Sequence, residues 1–224
     1  MKRLSIIVPA LNESPHIAAT LQALAPLRSA NCEIIVVDGG STDNTAELAR
    51  PYADLVVESK KGRARQMNAG AAHAQTPVLL FLHADTMLPP KADALVLSQI
   101  EQGAVWGRFN VHLAGQHPML PVIATLMNWR SWLTGIATGD QALFVRRDLF
   151  TQMKGFPDQP LMEDIALSTR LRKISRPACI RARLTTSGRR WDTHGAWRTI
   201  FLMWRLRWLY WRGTPAHELA KYYL

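Results

Sequence analysis

A chain of 224 residues can bury a substantial core as one large domain, or as one domain with a modest extension. Two cysteines, Cys32 and Cys179, are too few for a disulfide framework, and both are read as buried thiols in a reducing compartment. The formal net charge of +10 directs attention to anionic partners, namely nucleic acid, phospholipid or a phosphorylated substrate.

The first predicted element is a strand over Leu4 to Val8, short, apolar and rich in β-branched residues. It runs into Pro9-Ala10-Leu11-Asn12-Glu13, and Ser14-Pro15 then supplies an N-cap and first-turn pair for a helix over His16 to Leu27. A second strand, Glu33 to Val37, ends on Asp38-Gly39-Gly40-Ser41-Thr42-Asp43-Asn44 and is followed by a helix over Thr45 to Arg50, with Ser41, Thr42 or Asp43 as candidate caps. The basic stretch from Lys60 opens a third helix, Arg63 to Ala74, and a third strand, Val78 to Leu82, ends on His83-Ala84-Asp85-Thr86. Strands alternating with helices in this way predict a doubly wound α/β fold with a mostly parallel sheet, which binds ligands outside the carboxyl ends of its strands. Glu13, Asp38 and Asp85 fall at those ends, a pattern suited to a nucleotide and a divalent cation.

Neither the secretory pattern nor a spanning helix is expected. The apolar run after Met1-Lys2-Arg3 stops at Pro9, and the segment Pro118 to Leu133 is broken by Pro121, Asn128 and Arg130. Charge is uneven along the chain: residues 165–224 carry thirteen basic side chains against Asp192 and Glu218 alone. Within that segment, residues 197–212 predict a helix. At about 100° per residue, Trp197, Ile200, Phe201, Trp204, Trp208 and Trp211 share one face. Arg198, Arg205 and Arg212 form a stripe on one border and Arg207 lies near the other, while Leu202, Met203, Leu206, Leu209 and Tyr210 make the opposite side apolar. Such a helix packs one face on its own domain and offers the other to an anionic bilayer or to a second copy in a homodimer. Nucleic acid is disfavoured, because no recognised nucleic-acid module accompanies the basic segment.

The set Val8-Pro9-Ala10-Leu11-Asn12-Glu13, Val36-Val37-Asp38-Gly39-Gly40-Ser41-Thr42-Asp43, Lys61-Gly62-Arg63-Ala64-Arg65-Gln66-Met67-Asn68 and Leu82-His83-Ala84-Asp85-Thr86 resembles the family 2 glycosyltransferases of GT-A fold. Two later stretches agree. Thr138-Gly139-Asp140-Gln141 is similar to the acceptor-side glycine loop, and Met162-Glu163-Asp164 to the start of the helix carrying the catalytic base. The resemblance implies an inverting transferase that moves a sugar from a nucleotide-diphospho-sugar to a hydroxyl acceptor with Mg²⁺ or Mn²⁺. By matching position, it implies that Pro9, Glu13, Asp38, Asp43, Lys60, Gly62, Arg63 and Asn68 hold the nucleotide. Asp164 would be the base, with Glu163 and Asp140 positioning the acceptor, and Asp85 and His194 would hold the metal. Here His83 replaces the first Asp of the family's Asp-x-Asp motif. Arg189-Arg190-Trp191 is a loose echo of a motif of processive members, but processivity is not expected without their multi-span membrane domain.

The expected organisation is a nucleotide-sugar half (1–115), an acceptor half of the same domain (116–195) and a C-terminal helical extension (196–224). Acceptor specificity is expected in residues 104–137, whose apolar content suits a lipid or hydrophobic acceptor. The expected location is cytoplasmic, peripheral on the inner face of a membrane. Two other readings are a nucleotidyltransferase of related fold and a non-catalytic nucleotide-binding scaffold.

Overall fold

Apolar runs too short and too β-branched for helices become the inner strands of one sheet. The structure, a computed structural model, describes residues 2–223. In chain order its first half comprises β1 (Leu4–Ala10), α1 (Ile17–Ala23), α2 (Ala25–Ser29), β2 (Cys32–Asp38), α3 (Thr45–Ala49), β3 (Leu55–Glu58), α4 (Arg63–His73), β4 (Val78–Phe81), β5 (Thr86–Met87) and α5 (Ala92–Glu101). The second half comprises β6 (Trp106–Ala114), α6 (Leu120–Thr134), a 3₁₀ turn at Gly139–Gln141, β7 (Phe144–Arg146), α7 (Arg147–Gln152), α8 (Glu163–Arg172), β8 (Ala178–Ser187), α9 (Arg189–His194), α10 (Ala196–Trp211) and α11 (Ala216–Tyr223).

The eight strands lie in the order β3-β2-β1-β4-β7-β6-β8-β5. β3, β2, β1 and β4 are parallel, as are β6 and β8, whereas β7 runs antiparallel to both of its neighbours and β5 antiparallel to β8. Alternation along the inner strands fills both faces. Ile6, Val8, Ile34, Val36 and Leu80 pack with Ile17, Leu21 and Val96, while Ile7, Ile35, Val37, Leu79 and Phe81 pack with Met67, Phe150 and Leu167. Helices on both faces explain why these strands read as continuous apolar runs. At Gly70 a Cβ would lie 2.5 Å from Ile7 Cγ2, so glycine is what lets α4 approach β1 closely.

Two expectations are corrected. The helix expected over His16 to Leu27 is two helices, and Ser14 is not its cap: His16 holds that position without a side-chain bond. The Ser14 N–H instead donates to Asp43 at 3.2 Å, and Pro26, in the first turn of α2, has no N–H to continue the ladder of α1. Cys32 is buried, and burial pushes its thiol up to about 12. Cys179, however, is only half-buried.

The tryptophan-rich segment folds as α10, with the two faces expected of it. Leu206 is buried with Leu161, Met162 and Leu219, flanked by Leu202, Met203, Leu209 and Tyr210. Trp197, Phe201, Trp204, Trp208 and Trp211 are 55–80% exposed. Ile200 departs from that outer face and packs against the main core. Among the described residues, no helix is long and apolar enough to cross a membrane.

Candidate active site

The loops that follow β1 and β2 are laced together. Asn12 takes a left-handed conformation, its N–H donates to Ser41 Oγ at 2.9 Å, and its side-chain oxygen accepts from the Thr42 N–H at 2.9 Å. The Glu13 N–H donates to Thr45 Oγ1 at 2.8 Å. Asp38 spends its carboxylate inside its own loop, accepting from the N–H groups of Gly40 at 3.0 Å and Ser41 at 2.9 Å and from the Ser41 hydroxyl. Asp43 accepts from the hydroxyl and N–H of Thr45, and the hydroxyl bond holds its carboxyl down at about 2. Beneath this rim lies Gln66, buried, whose amide donates to the carbonyls of Ala10 at 2.7 Å and Val37 at 3.0 Å. Gln66 thereby pins the ends of β1 and β2 together.

Glu13 and Asp85 come together across the cleft, and one guanidinium faces both. Arg189 Nη2 stands 3.5 Å from Asp85 Oδ2 and 3.8 Å from Glu13 Oε2, while its Nη1 lies 3.0 Å from His16 Nε2. Burial raises the Glu13 carboxyl, with Asp85 adding to the rise and Arg189 opposing it. His83 lies 3.5 Å from Asp140 through Nδ1, and its buried Nε2 has no partner.

The second wall carries the acidic pair at the start of α8. Met162, left-handed at φ +65°, turns the chain into this helix. The Gly139 N–H donates to Asp164 Oδ2 at 2.7 Å, and the Ile165 N–H donates to Oδ1 at 2.7 Å. Glu163, nearly buried, faces Arg63 at 3.7 Å. Burial raises the carboxyls of both Glu163 and Asp164, and the negative charge of Asp164 adds to the rise at Glu163. At Asp140 burial pushes upward too, but His83, Arg63 and Arg130 outweigh it and hold that carboxyl low. Arg63, His83, Gly139, Glu163 and Asp164 line one opening, over a floor that includes Met67, Phe81 and Phe156. Two carboxyls of raised pKa beside one held low give this opening both a proton acceptor and a fixed negative charge.

Asn68 is consumed by Phe156, donating to its carbonyl at 2.8 Å and accepting from its N–H at 2.9 Å. Lys60 is exposed, Gly62 has φ +137° at the start of α4, and Arg63 faces Glu163. Pro9 lies on β1 paired with Val37. His194 is exposed on α9, with Nδ1 3.3 Å from the Arg190 carbonyl. The residue of that segment that reaches Asp85 is Arg189, not His194. Arg189 and Gln66 went unassigned at the sequence level, although both lie inside motifs already quoted.

A divalent cation of the Mg²⁺ or Mn²⁺ type takes hard oxygen donors and retains places for substrate phosphates. Asp85 and Glu13 fit that chemistry, because their paired charges already attract a cation, Arg189. Among the described residues no three His, Cys, Asp or Glu side chains gather as a metal-binding group. The protein's share of any such site is therefore small, and a diphosphate would have to complete it.

Comparison with known proteins bears on the family and the fold. Glycosyl transferase family 2 matches residues 5–156. The Escherichia coli protein YaiP, an uncharacterized glycosyltransferase, is 31% identical over 185 residues, covering 72% of this chain and 46% of YaiP. The chain thus spans about half the length of the curated relatives it matches. Staphylococcus aureus TarS (residues 1–349, with UDP) superposes with a TM-score of 0.69 at 19% identity, covering 83% of this chain and 60% of that one. The Pyrobaculum calidifontis mannosyltransferase PcManGT, with GDP-Man and Mn²⁺, gives 0.61 at 22% identity, covering 82% and 56%. These two share the GT-A fold of this sheet, and the match over residues 5–156 shows that the chain belongs to glycosyl transferase family 2.

Proposed function

We propose that the chain is an inverting glycosyltransferase that moves a sugar from a nucleotide-diphospho-sugar to an acceptor hydroxyl, with Mg²⁺ or Mn²⁺ at Asp85. The observation that carries this reading is Asp164, a carboxylate of raised pKa fixed by the Gly139 N–H at 2.7 Å in the wall of an opening. The GDP-Man and Mn²⁺ named with the Pyrobaculum enzyme, and the UDP named with TarS, support the choice of donor class and cation.

The chemistry assigns a role to each wall. The rim formed by Asn12, Glu13, Ser41 and Asp43 holds the nucleoside end, its carboxylates and backbone groups already ordered by hydrogen bonds. When bound, the cation neutralises charge that develops on the departing diphosphate. Arg189, already between Asp85 and Glu13, adds a second positive charge beside the same group. Asp164 takes the proton of the acceptor hydroxyl as that oxygen attacks the anomeric carbon, and a carboxyl of raised pKa is the better proton acceptor. Gly139 holds Oδ2 in place, and Glu163 and Asp140 position the acceptor. A single displacement inverts the anomeric centre.

The exposed aromatic face of α10, bordered by arginines, supports a position at the anionic inner face of a membrane. A lipid-like acceptor is in keeping with that position. The donor reading is tested by thermal shift with nucleoside diphosphates and nucleotide-sugars, each with and without Mn²⁺, followed by product analysis. Stabilisation by one nucleoside diphosphate that grows with Mn²⁺, and release of that diphosphate on turnover, are expected. Pyrophosphate release from a nucleoside triphosphate and a sugar phosphate would instead identify a nucleotidyltransferase, and binding with no turnover on any acceptor would identify a scaffold.

A further inference from the structure

The segment expected to carry acceptor specificity folds into β6 and α6, and a second recess opens there. It lies between α6 and the paired strands β6 and β8, has a volume of about 580 Å³, and includes Arg108, Arg181, Arg183, Trp129 and Trp132 in its lining, with no acidic residue. That volume is within the range of ligand pockets, roughly 300–1,000 Å³. The recess is separate from the cleft. It shares no lining residue with it, and Arg130 of α6 stands between the two, sensing Asp140 and Asp164 on one side and Arg108 on the other.

The charge of the recess has no carboxylate partner, and the one titratable group that favours the Arg108 guanidinium is the Cys179 thiol in the same lining. Arg108 is 1% exposed, yet its guanidinium donates only to neutral oxygens: Ser131 Oγ at 3.1 Å, the carbonyls of Phe109 at 3.4 Å and Asn128 at 3.1 Å, and the Asn110 side chain. Buried charges are ordinarily paired, and leaving one unpaired is costly. Arg181 and Arg183 are exposed beside it on β8, and among the described residues none of the three arginines enters an ion pair. Three guanidinium groups around one recess match the geometry and charge of a phosphate.

The other wall is apolar and open. Trp129 and Trp132 are 60% and 58% exposed, and Val122, Leu126 and Leu133 continue the surface along α6 at one-turn spacing. Indoles alone would equally suit a sugar or a base, both of which stack on aromatic faces. Aliphatic side chains offer no such stacking, but they do shed water against hydrocarbon. We propose that this recess binds a single phosphate-bearing lipid, its phosphate held by Arg181 and Arg183 over Arg108 and its chain lying along Trp129, Trp132 and the α6 stripe. The proposal is independent of the donor chemistry of the cleft.

Calorimetric titration of the full chain with decyl phosphate below its aggregation concentration tests this, with inorganic phosphate and decanol as separate arms. Decyl phosphate is expected to bind at least tenfold tighter than either. The double substitution Arg181→Ala/Arg183→Ala should weaken it at least tenfold, and Trp132→Ala severalfold without altering the phosphate arm. Should the double variant unfold, Arg183→Gln alone carries the same expectation at a smaller size. Inorganic phosphate binding as tightly as decyl phosphate would overturn the proposal in favour of a free-anion site. So would unchanged affinity in the arginine variants, or loss of binding on Trp204→Ser/Trp208→Ser, which would place the amphiphile on α10. Decyl phosphate binding as expected while no nucleotide binds would leave this site standing and remove the donor reading.

Discussion

Gly139 and Asp164 are joined by one hydrogen bond of 2.7 Å, and the same glycine has His83 packed against it. A Cβ at residue 139 would lie 2.5 Å from His83 Nε2. Gly139→Ala therefore has to displace the loop that orients Asp164, or His83 beside Asp140. Misplacement by about 1 Å can cost on the order of a hundredfold in rate. Transfer should fall by about that factor, while nucleotide affinity stays within about threefold, because the donor rim lies on other loops. Steady-state kinetics beside calorimetry would separate the two, and a parallel loss of nucleotide affinity would show that the loop serves the donor instead.

Burial raises the Asp164 carboxyl, so the pH profile has a defined sign. The base works only when deprotonated, and its protonated form persists to a higher pH than that of an ordinary carboxyl. The acid limb of kcat should therefore lie above the usual carboxylate range, with activity rising as pH rises through it. Asp164→Asn should abolish transfer with nucleotide and metal affinity intact. A limb at ordinary carboxylate pH would indicate that a solvated acid, not Asp164, takes the proton.

Glu163 makes a stability prediction of opposite character. Its folded-state carboxyl is raised by burial and by Asp164, and Arg63 at 3.7 Å only partly offsets this. A raised carboxyl favours the folded state below its unfolded pKa, and this contribution is lost as pH rises through the folded value. Glu163→Gln removes that loss. The variant should gain stability relative to the parent as pH rises from 4 towards 8, measured as the difference in urea midpoint. A difference that shrinks with rising pH would mean that the Arg63 pair outweighs burial.

The fold was legible because its signals are local. Leu4 to Val8 and Glu33 to Val37 are apolar on both faces, which only a covered strand tolerates, and the loops after them carry the small and acidic residues that end such strands. The two faces of α10 were legible for the same reason, since helical spacing sorts them without tertiary information. What sequence does not carry is the partner of a polar group. Asn68 sits in a phosphate-like basic motif but closes on the Phe156 backbone, eighty-eight residues away. His194 and Arg189 lie five positions apart on one short helix, and only the path of β8 decides that Arg189 reaches Asp85. Residues 104–137 gave no readable motif because the recess they form needs Arg181 and Arg183 from another strand.

Arg189 competes for the carboxylates that a cation would use. With its guanidinium 3.5 Å from Asp85 and 3.8 Å from Glu13, removing it leaves two facing negative charges with less compensation. Its side chain is 56% exposed, so solvent keeps the effect modest. Arg189→Ala should tighten Mn²⁺ binding to the nucleotide-free protein by up to about fivefold, the size of an exposed ion pair. Turnover should fall in the same variant, because the diphosphate loses a positive neighbour. Weaker Mn²⁺ binding would show that Arg189 organises Asp85 and Glu13 rather than competing for them.

Leu206 is fully buried against Leu161 and Met162, which immediately precede Glu163 and Asp164, and Gln159 donates to the Tyr210 hydroxyl at 3.2 Å from the same loop. The inner face of α10 thus holds the turn from which the acidic pair projects. Leu206→Ala should destabilise the fold by about 2–5 kcal/mol, as deletion of a buried leucine does. It should also lower kcat in protein that remains folded, because Leu206 packs in one cluster with Met162, the left-handed residue that turns the chain into α8. The outer face should behave differently. Trp204→Ser/Trp208→Ser removes exposed indoles, so the melting temperature should hold while flotation with vesicles of anionic phospholipid falls. Retained flotation in that variant, together with dissociation of a dimer, would assign the outer face to a second copy of the chain. Equal loss of stability from both variants would mean that the two faces are not separable, and that α10 is held from its outer side as well.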